Sequence, residues 1–172
     1  MTKPDFCSNC PLAAEPFVPP TCNCPLCSSN RGPANAIEIL IKGGCESTVL
    51  VVGMAPGAEE VKRVQVLVGP SGRILTSAFN VAGLSREYIR KLNLVQCRTS
   101  RPGVGGLVNR DPLKAEVDYC RQHFLDPELR AFRERDGAIV ILLGGLVYRH
   151  VTNEAFGSFA EARGHRFELE EL

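Results

Sequence analysis

The apolar positions of the chain fall into three short runs separated by amphipathic stretches. Thr48-Val49-Leu50-Val51-Val52 is a β-branched run too short for a helix, with no polar alternation after its first residue. That pattern predicts a strand buried on both faces. Leu92-Asn93-Leu94-Val95 predicts a second strand and Ala138-Ile139-Val140-Ile141-Leu142-Leu143 a third. Between the first two, Ile74, Leu75, Ala78, Phe79 and Ala82 recur at helical spacing and predict one apolar helix face, which Gly83 ends. Asp111-Pro112 predicts the start of a helix carrying Val117, Cys120 and Phe124, since proline is favoured in a first turn. Gly144-Gly145 precedes a helix through Val151, and residues 166–169 predict a last short strand. Strands alternating with helices imply parallel pairing through crossovers, so the predicted fold class is α/β, an open and mainly parallel sheet flanked by helices. In such sheets ligands bind beyond the C-terminal ends of the strands. Both the turn-forming loop Gly53-Met54-Ala55-Pro56-Gly57 and the loop-rich, basic stretch 98–110 leave strands at that edge.

Residues 1–46 depart from this pattern. They hold most of the prolines and, up to residue 35, five of the eight cysteines, with little apolar periodicity. An irregular Cys/Pro-rich arm (1–46) packing on a core (47–172) is therefore predicted, fixed by a metal or by docking, within a single domain. A hydrophobic fraction of 44% and a charged fraction of 23% exclude wholesale disorder. No stretch approaches the ~18 apolar residues of a membrane span, and the first residues lack the apolar centre of a secretory signal. A soluble, cytoplasmic protein without a membrane partner is expected.

The net charge of +1 points to no partner, but its distribution does. Between residues 86 and 110, Arg86, Arg90, Lys91, Arg98, Arg101 and Arg110 stand against Glu87 alone, while Glu168, Glu170 and Glu171 make the tail acidic. The basic stretch suits a phosphate backbone or is a solvated face without a ligand. Cysteines outside an oxidising compartment favour metal ligation over disulfides. Two pairs have two-residue spacing, Cys7-Ser8-Asn9-Cys10 and Cys24-Pro25-Leu26-Cys27; Cys22, Cys45, Cys97 and Cys120 stand apart. The loop from Gly53 to Gly57 is neither a dinucleotide fingerprint nor a phosphate-binding P-loop.

Several segments, in order, resemble the iron–sulfur (family 4-like) branch of the uracil-DNA glycosylase superfamily. They are Cys7-Ser8-Asn9-Cys10-Pro11-Leu12, Phe17-Val18-Pro19-Pro20 and Gly32-Pro33 in the arm, then Gly53-Met54-Ala55-Pro56-Gly57-Ala58-Glu59-Glu60. Val68-Gly69-Pro70-Ser71-Gly72-Arg73-Ile74-Leu75, Asn93-Leu94-Val95-Gln96-Cys97-Arg98 and Asn109-Arg110-Asp111-Pro112 follow, with Glu116 and Cys120, Leu143-Gly144 and Arg163-Gly164 after them. The resemblance implies a DNA repair protein that hydrolyses the N-glycosidic bond of uracil or a related damaged base. It also leaves open a catalytically inactive, glycosylase-like DNA-binding or assembly module with a structural cluster.

By the same resemblance, Cys7, Cys10, Cys97 and Cys120 would hold a 4Fe–4S cluster, with Cys24 and Cys27 as the alternative arm pair. Four thiolates are what such a cluster takes. Zinc on the arm thiols is the other metal the residues allow, and Cys120 also reads as a buried core thiol. Asn93 matches the asparagine that pairs with the uracil edge, an amide offering both a donor and an acceptor. Its other reading is an amide bracing a strand end. Glu60 matches an acidic position and is the expected carboxylate; Glu59 competes with it, and a solvated first-turn acid is the plain alternative. Gly53, Ala55, Pro56, Gly57 and Leu67 would complete the substrate site, and Arg98, Arg101 and Arg110 would meet DNA. The sequence also departs from the family. Met54 stands where the family has glutamate, Leu67 where it has the aromatic that stacks the base, and Arg63 and Gln65 replace Gly and Pro nearby. The family's His-Pro motif and its completing strand and helix would lie beyond Leu172. A partner or a missing C-terminal segment is thus expected over the sheet edge, the chain being a possible fragment. His150 and His165 lack that motif's context and read as surface or helix-end residues.

Overall fold

A computed structural model of the chain describes residues 47–63, 65–86, 89–153 and 159–164. The arm (1–46) with its cysteines, the strand predicted at 166–169, and His165 lie outside the described residues.

Three strands, β1 (Val49–Gly53), β2 (Arg90–Asn93) and β5 (Ile139–Leu142), form a parallel sheet in the order β2-β1-β5. Gly53 sits in register with Asn93, and Val52 with both Leu92 and Leu142. The α/β class and the parallel sheet follow the prediction, and strand bounds shift by one or two residues. Side chains alternate across a strand, so β1 feeds two cores. Leu50 and Val52 join Val117, Leu125, Phe132 and Val147 on one face, whereas Val51 joins Val66, Phe79 and Ile89 on the other. Leu50, Val51 and Val52 are all fully buried, which explains an apolar run without alternation.

After a short α1 (Ala58–Arg63) with no buried residue, α2 (Pro70–Val81) lies on the second face through Phe79 and Leu75. The predicted apolar face of α2 is covered only along a narrow strip. Gly72 and Phe79 are buried and Leu75 half-buried, but Ile74 is 73% exposed and Ala78 and Ala82 face outward. The cause is an approach through the first turn. A Cβ on Gly72 would fall 1.7 Å from the Leu67 carbonyl oxygen, so the helix leans on the preceding loop by its N-terminal end.

On the first face, α3 (Lys114–Cys120) runs through a π-helical turn (Arg121–Leu125) into α4 (Asp126–Arg133), and α5 (Gly145–Thr152) follows β5. The helix predicted to open at Asp111-Pro112 starts later, because the Glu116 carboxylate accepts the Leu113 N–H at 2.8 Å and sets the first turn there. A short α6 (Phe159–Ala162) ends the described chain. Arg90 of β2 and Glu128 of α4, both with side chains 3% exposed, form a two-pronged ion pair that ties sheet to helix layer.

Residues 98–110, where no strand was predicted, contain an antiparallel hairpin of β3 (Ser100–Gly103) and β4 (Gly106–Asn109). Its strands carry Pro102, Gly103 and Gly106 and are almost wholly exposed, so neither strand propensity nor burial marked them. Among the described residues no helix is long and apolar enough to cross a membrane.

Candidate functional site

Because β1 and β2 end side by side, their C-terminal loops open onto a cavity of about 410 Å³. Of the site residues expected from sequence, Gly53, Met54, Ala55, Gly57, Glu60, Leu67 and Asn93 all line it. Pro56 is buried outside its lining. Ser71, Asn109 and Leu143 also line it. Of these, Asn109 arrives from the hairpin, which periodicity could not reveal; its place in the Asn109-Arg110-Asp111-Pro112 motif was the available signal.

Asn93 ends β2 and is 2% exposed overall. Its backbone carbonyl accepts the Gln96 side chain at 2.6 Å. Among the described residues its side-chain amide has no partner, and it lies against the cavity. Gly53 makes room for it, since a Cβ there would sit 2.6 Å from Asn93 Oδ1 and 3.3 Å from Leu67 Cδ2. A nearly buried amide left open to a cavity is uncommon, because buried polar atoms are normally paired.

Glu60 behaves differently. Its carboxylate accepts three backbone N–H groups, Gly57 at 3.1 Å, Val68 at 3.0 Å and Gly69 at 2.6 Å, and so pins the loop after β1 to the loop before α2. Both glycines permit this approach, as a Cβ on Gly57 or Gly69 would come within 2.7 or 2.9 Å of the carboxylate oxygens. Glu59 also borders the cavity, but its carboxylate pairs with Arg73 at 3.4 Å and Arg63 at 3.7 Å. Glu60→Ala would leave three amides without their acceptor. It is expected to destabilise the protein by about 2–3 kcal/mol and to speed hydrogen exchange at Gly57, Val68 and Gly69. Unchanged exchange at those amides in a mass-spectrometric measurement would contradict the pinning role.

Leu67 enters the cavity from a backbone with φ of +56°, a conformation that costs a non-glycine residue roughly 1–2 kcal/mol. Arg86 holds it there. The guanidinium donates to the Val66 carbonyl at 2.9 Å, to the Leu67 carbonyl, to the Gly72 carbonyl at 3.1 Å and to Thr76 Oγ1 at 2.6 Å. Burial lowers the Arg86 pKa, and the Glu60 carboxylate opposes that shift.

The hairpin supplies one lining residue, Asn109. Arg98 Nε donates to Asn109 Oδ1 at 3.0 Å and Arg98 Nη2 to the Leu107 carbonyl at 3.0 Å. With Oδ1 so engaged, Asn109 turns its amide nitrogen inward, 3.5 Å from the Cβ position of Gly57. Arg110 reaches Glu116 through two bonds of 2.9 and 2.6 Å, and its guanidinium also serves the Ser100 and Asp111 carbonyls. Burial raises the Glu116 pKa, but the Arg110 and Leu113 hydrogen bonds outweigh it and the net shift is downward. The stability this carboxylate contributes is present above the ordinary glutamate range and lost as pH falls through its lowered pKa. Among the three arginines expected to meet a phosphate backbone, Arg110 is thus a brace inside the fold, Arg98 an orienting group, and Arg101 an exposed cation.

Cys97 follows β2 and Cys120 ends α3; they are 6% and 2% exposed and belong to one buried cluster. Folding therefore brings these two thiols, 23 positions apart in sequence, to the same part of the core. Among the described residues no group of three or more metal-ligating side chains occurs. His150 lies in the last turn of α5, outside the cavity lining, with its pKa lowered by burial and by Arg121.

A sequence profile described as the Uracil DNA glycosylase superfamily matches residues 41–169. Among curated relatives, the type-4 uracil-DNA glycosylase of Archaeoglobus fulgidus is 26% identical over 86% of this chain and 69% of its own length. That of Pyrobaculum aerophilum is 29% identical over 83% of this chain and 65% of its own. For Saccharolobus solfataricus the figures are 33%, 67% and 47%. The chain thus spans between 47% and 69% of the length of these relatives.

Proposed function

Since this chain belongs to the uracil DNA glycosylase superfamily, we propose that it removes uracil, or a related damaged base, from DNA by hydrolysing the N-glycosidic bond. The observation that carries the reading is the Asn93 amide, 2% exposed, open to the cavity and without a partner among the described residues. A pyrimidine edge with one N–H between two carbonyls offers an amide both the donor and the acceptor it lacks.

A base reaches such a site only after leaving the helical stack, at a cost of a few kcal/mol. In the cleft, Asn93 fixes the base by its edge, and Leu67 supplies an aliphatic surface where an aromatic would stack more strongly. As the bond between sugar C1′ and the base nitrogen breaks, the sugar becomes positive and the base negative. The Glu60 carboxylate lends negative charge to one side of the cleft, and the Asn109 amide nitrogen, aimed by Arg98, is a donor for the departing base. Water adds to C1′, and the base leaves with the proton. Met54 contributes no charge; it is half-buried against the core and lines the cavity as an apolar wall.

Cys97 and Cys120, with Cys7 and Cys10 or alternatively Cys24 and Cys27, would hold a 4Fe–4S cluster. The two described thiols fit this role, being soft donors gathered in one buried cluster. When bound, the cluster would supply a cross-link between arm, β2 end and α3, contributing stability and no step of the reaction. Iron and sulfide in equal amounts support this assignment; zinc in their place overturns it.

Single-turnover release of uracil from an oligonucleotide by the full-length protein tests the function. The expected result is release of free base. Salt-dependent DNA binding without release would replace the proposal by the inactive, DNA-binding alternative.

A further inference from the structure

We infer that the β3–β4 hairpin is the element that engages double-helical DNA, with Leu107 and Pro102 as an apolar wedge beside the extruded nucleotide. The inference deepens the glycosylase reading above and rests on it. The pairing register sets which side chains share a face. Asn109 stands opposite Ser100 and Leu107 opposite Pro102, while Val108 stands opposite Arg101. Residues two apart in a strand point the same way, so Asn109, Ser100, Leu107 and Pro102 occupy one face. Asn109 on that face lines the cavity. Leu107, 58% exposed, and the exposed Pro102 continue the same face away from it, about 7 Å further along the ribbon. Successive nucleotides of a strand are spaced by about 3.4 Å. A nucleotide whose base enters the cavity would therefore place its flanking neighbours within reach of the Leu107–Pro102 pair.

The ribbon is built to hold an exposed apolar edge in place. Arg98 grips the Leu107 carbonyl and Asn109 at 3.0 Å each, Arg110 N–H donates to the Thr99 carbonyl at 3.1 Å, and Thr99 Oγ1 donates to the Arg110 carbonyl at 2.6 Å. Val104 at the tip is 106% exposed. Pro102, Val104 and Leu107 expose apolar surface together on a ribbon that, among the described residues, pairs with no other strand, and the charge around such a patch selects its partner. Residues 98–110 contain no acidic residue, and Arg101 is exposed on the ribbon's other face, while Arg98 is held by Asn109 and the Leu107 carbonyl and Arg110 by Glu116. Leucine and proline are among the side chains that proteins insert between base steps, backed by cations on the phosphates. A single strand presents no stack to part, so the wedge matters for duplex substrates.

The test measures single-turnover uracil release by the full-length protein from one sequence, as single strand and as duplex, for wild type, Leu107→Ala and Leu107→Gln. The duplex to single-strand rate ratio is expected to fall about tenfold in both variants. Equal losses on both substrates, or none on duplex, overturn the inference. A change in sedimentation of the DNA-free protein in Leu107→Gln, with an unchanged rate ratio, would overturn it in favour of a second copy on this face. Should the wild type release uracil from neither substrate, the glycosylase reading fails by itself. The wedge is then read from 2-aminopurine placed beside the uracil in bound duplex. A rise in fluorescence that Leu107→Gln abolishes supports the inference, and no rise with wild type overturns it.

Discussion

Asn93→Ala is expected to slow uracil release by about 10²–10³-fold, the usual cost of losing one preorganised hydrogen-bonding group at a reacting centre. The loss is expected in the rate at saturating DNA, with the melting temperature of the protein changed by only a few degrees. That separation follows from the geometry, since removing the amide breaks no side-chain hydrogen bond among the described residues. Gly53→Ala reaches the same group from the other side. Its new methyl would come 2.6 Å from Asn93 Oδ1 and force the amide aside. Both variants should therefore fail at the same step, and their combination should cost little more than either alone. Single-turnover rates and thermal unfolding on the same preparations check this. A rate loss under tenfold for Asn93→Ala would remove the amide from the mechanism.

Glu128→Ala is expected to be the most damaging change to the fold, at about 3–5 kcal/mol, because it leaves the Arg90 guanidinium buried without its counter-charge. For a chain of this size that corresponds to a melting temperature lower by roughly 6–20 °C. The paired replacement Arg90→Met with Glu128→Leu should recover most of the loss, since apolar residues of similar volume remove both buried charges together. Calorimetry on the single and double variants decides the matter. A single variant that melts within a degree or two of wild type would mean that water reaches this pair.

The sheet was legible because β1 and β5 announce themselves. Leu50, Val51 and Val52 form an unbroken apolar run since both their faces are covered, and that pattern survives in one dimension. The cleft was legible for a second reason. Gly53 and Asn93 lie at strand ends and Glu60 in the first turn of the helix after β1, where the C-terminal edge of a parallel sheet gathers function. What the sequence concealed depends on long-range pairing. The Arg90–Glu128 pair spans 38 positions, and no local pattern marks either residue as buried. Arg110 belongs to the same class, being a cation that composition assigned to the surface and that Glu116 draws inward. Ile74 errs in the other direction. Its spacing matches Phe79's face, yet the helix touches its neighbours through Gly72 and leaves Ile74 outside.

The Gly72 contact has a consequence for how this cleft can change over time. With no room for a single carbon between that helix turn and the Leu67 carbonyl, and with Arg86 clasping the same carbonyl, the width of the opening on that side is dictated by main chain. Drift toward a bulkier or smaller guest is expected to run through Met54, Ala55 and Leu143, which line the cavity with side chains. Selection for a new target base should leave its first marks at those three positions.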